Sequence, residues 1–342
     1  MSERSRLTWA DMAKGYGIFA VMTGHLIEGD WLGSFVYSFS LPLFFFLSGY
    51  LFNPGDKGFF VFLGKKIRTI IVPYICLGIP ITLISAFQNP HYSLKQYWFY
   101  YKKEFVQFVV QNRYATLWYL AVLFGLNILM YFLVKVKNDA LKALICLACL
   151  VLSMLYYYRW RGEGLPWNVD TVLPALPFFL SGHIVRKHDV LECRIFSLSK
   201  GKKIALFIGC LILNIVTNVI NVVLSGTGLE MYWNQYGIVP LTYISAFFGI
   251  FFVILLSELF TVGFIRYIGE NSLLFFLWHQ AIAYPLLGWI FSMVGIPEVR
   301  TNAIWYVTNL ILYMGLTCLM IWPLNELFNR TPLRIALGKR KG

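Results

Sequence analysis

Charge is scarce in this chain. Only 13% of its 342 residues are Asp, Glu, Lys or Arg, about half the ~25% of an ordinary soluble domain. Apolar residues make up 58%, and a soluble fold of this length cannot hide that much hydrocarbon from water. Histidine is also sparse: five are scattered along the chain with no H-E-x-x-H pair, so nothing points to a catalytic metal. The six cysteines fall mostly inside apolar runs. Cys146 and Cys149 form a C-x2-C that lacks a second pair or a nearby His, which reads as packed thiols, not a disulfide framework or a metal site. No repeat of 30 to 50 residues, low-complexity tract or soluble-domain linker is apparent, which excludes a solenoid or array. Aromatics at 18% exclude disorder. What is left is a polytopic membrane protein: one membrane domain over 1–342, with no separate soluble domain.

What the sequence does have is long apolar runs. A helix needs about 20 mainly apolar residues to cross the hydrocarbon core. That ruler predicts an all-α bundle of ten transmembrane helices near 9–29, 35–53, 69–88, 117–134, 141–157, 171–185, 203–224, 236–260, 272–291 and 303–325. The connection 89–116 contains Tyr97-Trp98-Phe99-Tyr100-Tyr101, which predicts a segment along the membrane surface. The net charge of +13 follows the positive-inside rule. With both termini in the cytoplasm, 21 Lys and Arg fall on cytoplasmic pieces and seven on outer ones, Lys14 lying inside the first span. The basic excess is therefore topology within a cell (inner) membrane, not nucleic-acid binding. Arg4 and Arg6 precede an apolar stretch as in a signal peptide. Asp11 and Lys14 interrupt that stretch, and Gly24-His25-Leu26 is no small-residue cleavage site, so a retained first helix is expected.

Charges inside spans are costly, about 2.5–3.5 kcal/mol each near a helix centre, and they face partners or water-filled cavities. The first span carries Asp11, Lys14 and His25. At 100° per residue Lys14 and His25 lie about 20° apart in azimuth and ~16 Å along the axis. Asp11 is on the same stripe, placed for an i,i+3 ion pair with Lys14. The stripe is either a site or a structural polar seam. An imidazole here can act as a base or a nucleophile near neutral pH.

The same residues carry a family resemblance. Asp11-x-x-Lys14-Gly15 with Gly24-His25 resembles the opening of the acyltransferase family 3 membrane proteins, whose first helix bears Arg/Lys-x10-His. Pro42 to Phe52, with Ser48-Gly49-Tyr50, is similar to the family's second helix. Lys65-Lys66-Ile67-Arg68 before Pro73-Tyr74 resembles its basic entry to the third. Leu117-Trp118-Tyr119-Leu120, Phe178-Phe179-Leu180-Ser181-Gly182, and Gly269-x-x-Ser272 with His279 continue the match in order, from about 8 to 325. The resemblance implies transfer of an acyl group, by default acetyl, from cytoplasmic acyl-coenzyme A (acetyl-CoA) to a hydroxyl of a carbohydrate or glycolipid of the envelope. His25 would then be catalytic, Lys14 would hold the donor or tune the site, and Asp11 would keep Lys14 charged. Lys65, Lys66 and Arg68 would meet the donor's phosphates, with Arg186 and Lys187 next.

Other residues have two readings. Trp118 and Tyr119 suit sugar stacking or an aromatic belt. Ser272 and His279, seven apart, share a helical face and can touch substrate or simply pack. His183 suits a capping or interfacial role, and His91 and His188 are assigned none. A transporter or flippase for a polar or lipid-linked sugar is the competing class, since intramembrane charge also marks pathways. Against it, no paired repeats or matched Gly/Pro-broken helices are seen. A sensory or scaffold domain without chemistry is the third class. The oligomeric state is not legible.

Overall fold

The computed structural model describes residues 7–27, 29–86, 93–160, 164–295 and 303–339. Along the chain run α1 (Thr8–Leu26), α2 (Trp31–Tyr37), α3 (Ser40–Tyr50), α4 (Phe59–Lys66), α5 (Val72–Ala86), α6 (Leu94–Val110), α7 (Trp118–Leu133) and α8 (Asp139–Trp160). Then follow α9 (Val169–Lys187), α10 (Lys200–Ser225), α11 (Val239–Leu259), α12 (Gly263–Glu270), α13 (Ser272–Trp278), α14 (Tyr284–Met293) and α15 (Ala303–Arg330). Among the described residues there is no strand, only an isolated bridge between Glu230 and Gln235. Backbone groups in hydrocarbon must be bonded within their own segment, and helices do that.

Each of the ten expected spans is mainly helical over its described residues. Among the described residues, eight segments are long and apolar enough to cross a membrane. The other two, α1 and α9, have 19 residues each; the first holds Asp11, Lys14 and His25, the second Asp170 and two prolines. Ten is therefore an approximate count. The chain is a multi-pass membrane protein. The expected surface connection, as far as it is described, is α6: Ser93 caps it, exchanging hydrogen bonds with Gln96. Its first part (89–92, including His91) lies outside the described residues, as do Arg4 and Arg6.

The chain forms two compact units, one of 1–53, 133–162 and 173–272, the other of 54–132, 163–172 and 273–342. In the first unit α1 is central, with 12 of its residues buried, and it packs against α2, α3, α11 and α12. Two glycine pairs set the helix crossings. A Cβ on Gly15 would strike the carbonyl of Ile265, and one on Gly269 would strike the carbonyl of Asp11. A Cβ on Gly49 would collide with the carbonyl of Phe179, and one on Gly182 with that of Phe46. Lipid offers no hydrophobic drive between helices, so small residues that admit close backbone contact do this work. The repeated Ser-Gly motifs of α3 and α9 thus serve one crossing, and Gly269 fixes α12 against the charged turn of α1.

A polar seam ties α10 to its neighbours. Asn214, Asn218 and Asn221, at i, i+4 and i+7, share one helical face and are all buried. Asn214 Nδ2 donates to Ser38 Oγ and Ser245 Oγ, both at 3.0 Å, and Asn218 Nδ2 donates to Ser34 Oγ at 3.3 Å. Asn221 donates to Thr242 Oγ1 (2.9 Å) and accepts the Ile238 N–H (2.7 Å). Each amide would otherwise lie unbonded in hydrocarbon, at several kcal/mol.

In the second unit a buried knot joins the turn at 111–116 to that at 164–170. Arg113 Nη2 lies 2.7 Å from Asp170 Oδ2, with both side chains buried. Asp170 Oδ1 accepts the Leu165 N–H, and Asn168 Oδ1 accepts that of Arg113. Gln111 Nε2 donates to Tyr74 Oη, whose hydroxyl donates to the Phe108 carbonyl. Gln111, Arg113, Ala115, Trp167 and Asn168 all have left-handed backbones, with φ between 46° and 59°. Non-glycine residues hold such conformations only where the surroundings over-determine them, and here the bonds of the knot supply that.

Candidate functional site

Three of the residues expected to carry chemistry sit on α1, which is unbroken from Thr8 to Leu26. The predicted ion pair is present: Lys14 Nζ lies 3.2 Å from Asp11 Oδ1, with Asp11 4% and Lys14 24% exposed. The carboxylate is buried where α12 crosses at Gly269, so it anchors the lysine from beneath. His25 is half-buried in the last turn. Its Nδ1 lies 3.2 Å from Tyr37 Oη, and the rings meet edge to face at 5.8 Å between centroids. Gly24 leaves room for that tyrosine, since a Cβ there would run into the Tyr37 ring.

Tyr37 was not singled out by sequence reasoning. It lies at the end of α2, beyond a turn, and only the folded chain brings it to the imidazole. The bond matters for chemistry because it couples the two ring nitrogens. With Nδ1–H donating to Tyr37 Oη, Nε2 keeps its lone pair and can accept a proton. The opposite sense would place the proton on Nε2.

The basic cluster expected to meet donor phosphates belongs to the second unit. Lys65 and Lys66 end α4, and Arg68 sits in the wide π-helical turn Ile67–Ile71 that leads into α5. Such turns recur at functional sites because they re-aim side chains. Lys65 is exposed, while Lys66 and Arg68 are half-buried. Lys66 Nζ stands 5.4 Å above the Phe62 ring. Arg68 Nε is buried and has no hydrogen-bond partner within the protein, a donor suited to an anion. The C-terminal turn Pro332–Leu337 packs on α5, and Gly338, at φ +73°, abuts the Arg68 carbonyl.

The structure engages the further basic residues elsewhere. Arg186 Nη1 donates to Tyr50 Oη at 3.2 Å and lies over that ring. Lys187 and His188 both reach Asp139, as does Lys142. His183 packs edge to face against Phe52. Trp118 and Tyr119 are buried, at 6% and 7% exposure, and Tyr119 lies 4.7 Å from Phe276. They are core side chains in this structure, with little face to offer a sugar. Ser272 opens α13, a helix that ends at Trp278. His279 begins the π-helical turn that follows, so the continuous face expected for the two is interrupted there. His279 is fully buried and donates Nδ1–H to the Phe275 carbonyl at 2.9 Å.

The first helix of this multi-pass membrane protein thus carries a buried acid paired with a part-buried lysine and, three turns on, a tyrosine-bonded histidine. The chain belongs to the acyltransferase 3 family: the family's model, described as an acyltransferase domain, matches residues 7–325. No curated protein and no solved structure matches the chain.

Proposed function

We propose that the chain transfers an acyl group, acetyl by default, from acyl-coenzyme A to a hydroxyl of a carbohydrate or glycolipid of the cell envelope. The reading puts it in the cell (inner) membrane with both termini in the cytoplasm, from the distribution of Lys and Arg. The observation that carries it is the bond between Tyr37 of α2 and His25, on the helix that also holds the Asp11–Lys14 pair. In this reading His25 Nε2 takes the proton from the acceptor hydroxyl as its oxygen attacks the thioester carbonyl. The C–O bond forms, the C–S bond breaks, and the imidazolium returns the proton to the leaving thiolate. Tyr37 positions the ring. Lys14, about three turns away, offsets negative charge of the donor. Arg68, Lys65 and Lys66 hold the donor's phosphates, with the Arg68 Nε–H as a directed donor.

The direct test is release of coenzyme A thiol from acetyl-CoA by the purified protein, with mass spectrometry of envelope glycan from cells with and without the gene. Protein-dependent thiol release and one added acyl mass on a sugar are expected. Absence of both, in folded protein, removes the activity and leaves the transporter class. Within the same assay Arg68→Ala is expected to raise the acetyl-CoA requirement about ten- to a hundredfold, the worth of one charge-assisted hydrogen bond at about 1.5–3 kcal/mol. Acceptor dependence should hold. An unchanged donor requirement would take Arg68 out of the site.

A further inference from the structure

A cavity of about 160 Å³ lies between α2 and the C-terminal half of α10 in the first unit, lined among others by Trp31, Ser34, Phe35, Asn218, Val219 and Val223. Three properties define its guest. First, the wall is hydrocarbon. Its polar residues are Ser34 and Asn218, which bond each other at 3.3 Å, and the remaining amides of the α10 seam donate to the turn between α2 and α3 and to α11, and accept from the segment before α11. A sugar placed there would lose its hydrogen bonds to water with none returned. An apolar cavity of about 150 Å³ instead stays dry and takes a benzene-sized apolar guest, so this one suits a short stretch of hydrocarbon chain.

Second, the cavity opens towards lipid. Trp31 is 72% and Val223 74% exposed, and both helices belong to segments apolar and long enough to cross the bilayer. Third, it shares α2 with the tyrosine that bonds the histidine. Tyr37, which bonds His25, lies one turn beyond Ser34 on α2, and α2 follows directly on the His25 end of α1. Asp11 and Lys14 are at the other end of α1. The cavity is therefore tied to the histidine end of α1 and not to the lysine end.

We infer that the cavity seats the hydrocarbon chain of a lipid whose head group bears the accepting hydroxyl, so that the acceptor is lipid-linked and not a free sugar. The inference rests on the acyltransferase reading and adds the substrate class to it. The bonds exchanged are those already given: the head-group oxygen gains the acyl carbon, coenzyme A leaves as the thiol, and no further reactant is needed. Anchoring the chain holds the hydroxyl near His25, which lowers the entropy of the encounter.

The test uses membranes containing the full chain, incubated with acetyl-CoA labelled in the acetyl group and then extracted with chloroform and methanol. Protein-dependent label is expected in the organic phase. Val219→Trp, which fills the cavity, and Val223→Phe at its rim should each lower that label about tenfold, the scale of a misfit in an apolar pocket. Ile212→Trp, on the same helix with 53% exposure, should behave like the parent. Thiol release without acceptor should persist in all three, which also reports folding. Label confined to water-soluble or insoluble products overturns the inference and leaves the activity standing. So does equal labelling by Val219→Trp and Ile212→Trp. A loss seen with labelled octanoyl-CoA but not with acetyl-CoA assigns the cavity to the donor's chain and overturns it too. Neither label nor thiol release overturns the acyltransferase reading and this inference with it.

Discussion

Replacing His25 by alanine is expected to cut acyl transfer about 10²–10⁴-fold, the usual cost of losing a general base. Membrane insertion should be intact, because alanine enters a bilayer more readily than imidazole. The loss follows from the role proposed for the imidazole, which is to accept the hydroxyl proton at Nε2 while Nδ1 is bonded to Tyr37. Tyr37→Phe is expected to be much milder, about two- to tenfold, since one neutral hydrogen bond contributes about 0.5–1.5 kcal/mol. Lys14→Ala should be nearly as damaging as His25→Ala, whereas Lys14→Arg should retain measurable activity because charge and reach persist. The measurement is acceptor acylation at matched membrane expression. Retention of more than about a tenth of the activity by His25→Ala would sink the catalytic assignment, and the α1 stripe would become a structural seam.

The second large effect concerns stability. Arg113→Met is expected to cost about 3–5 kcal/mol, because it leaves the Asp170 carboxylate buried without its cation. Pairing it with Asp170→Leu should recover more than half of that loss. A buried ion pair replaced by apolar side chains of similar volume is often neutral, since neither charge then needs desolvation. What is not recovered reflects the Leu165 N–H, which loses its acceptor, and the left-handed turns that the knot holds in place. Unfolding of the single and double variants in the same detergent gives the comparison. If the single variant matches the parent, the pair is not holding the two turns together. If the double variant is worse than the single, the carboxylate's other bonds outweigh its pairing with Arg113.

The class of the protein, and the charged stripe of α1 on which the candidate site is built, were legible from the sequence. Hydropathy over about 20 residues is a local property, and so is the 100° step that puts Asp11, Lys14 and His25 on one stripe. Inside an unbroken helix, spacing is geometry, and the i,i+3 pair between Asp11 and Lys14 is present as spacing predicts. The basic entry at Lys65, Lys66 and Arg68 was also visible, since a run of three cations beside an apolar span stands out. Its π-helical turn was not, because that depends on how α4 and α5 are joined.

What tertiary structure alone decided are the partners. Sequence shows that Gly49, Gly182, Gly15 and Gly269 are present, but not which carbonyl each admits. Tyr37 is an ordinary aromatic until α2 folds back on the end of α1. Arg113 and Asp170 are 57 residues apart, and Trp118 reads as a belt residue until the neighbouring helices bury it. The physical reason is common to all of these. In hydrocarbon the choice of neighbour rests on close packing and on pairing of the few polar groups, and both depend on which helices meet and at what height. The sequence determined that helices form and which of them carry charged groups. Packing decided what each reactive side chain touches.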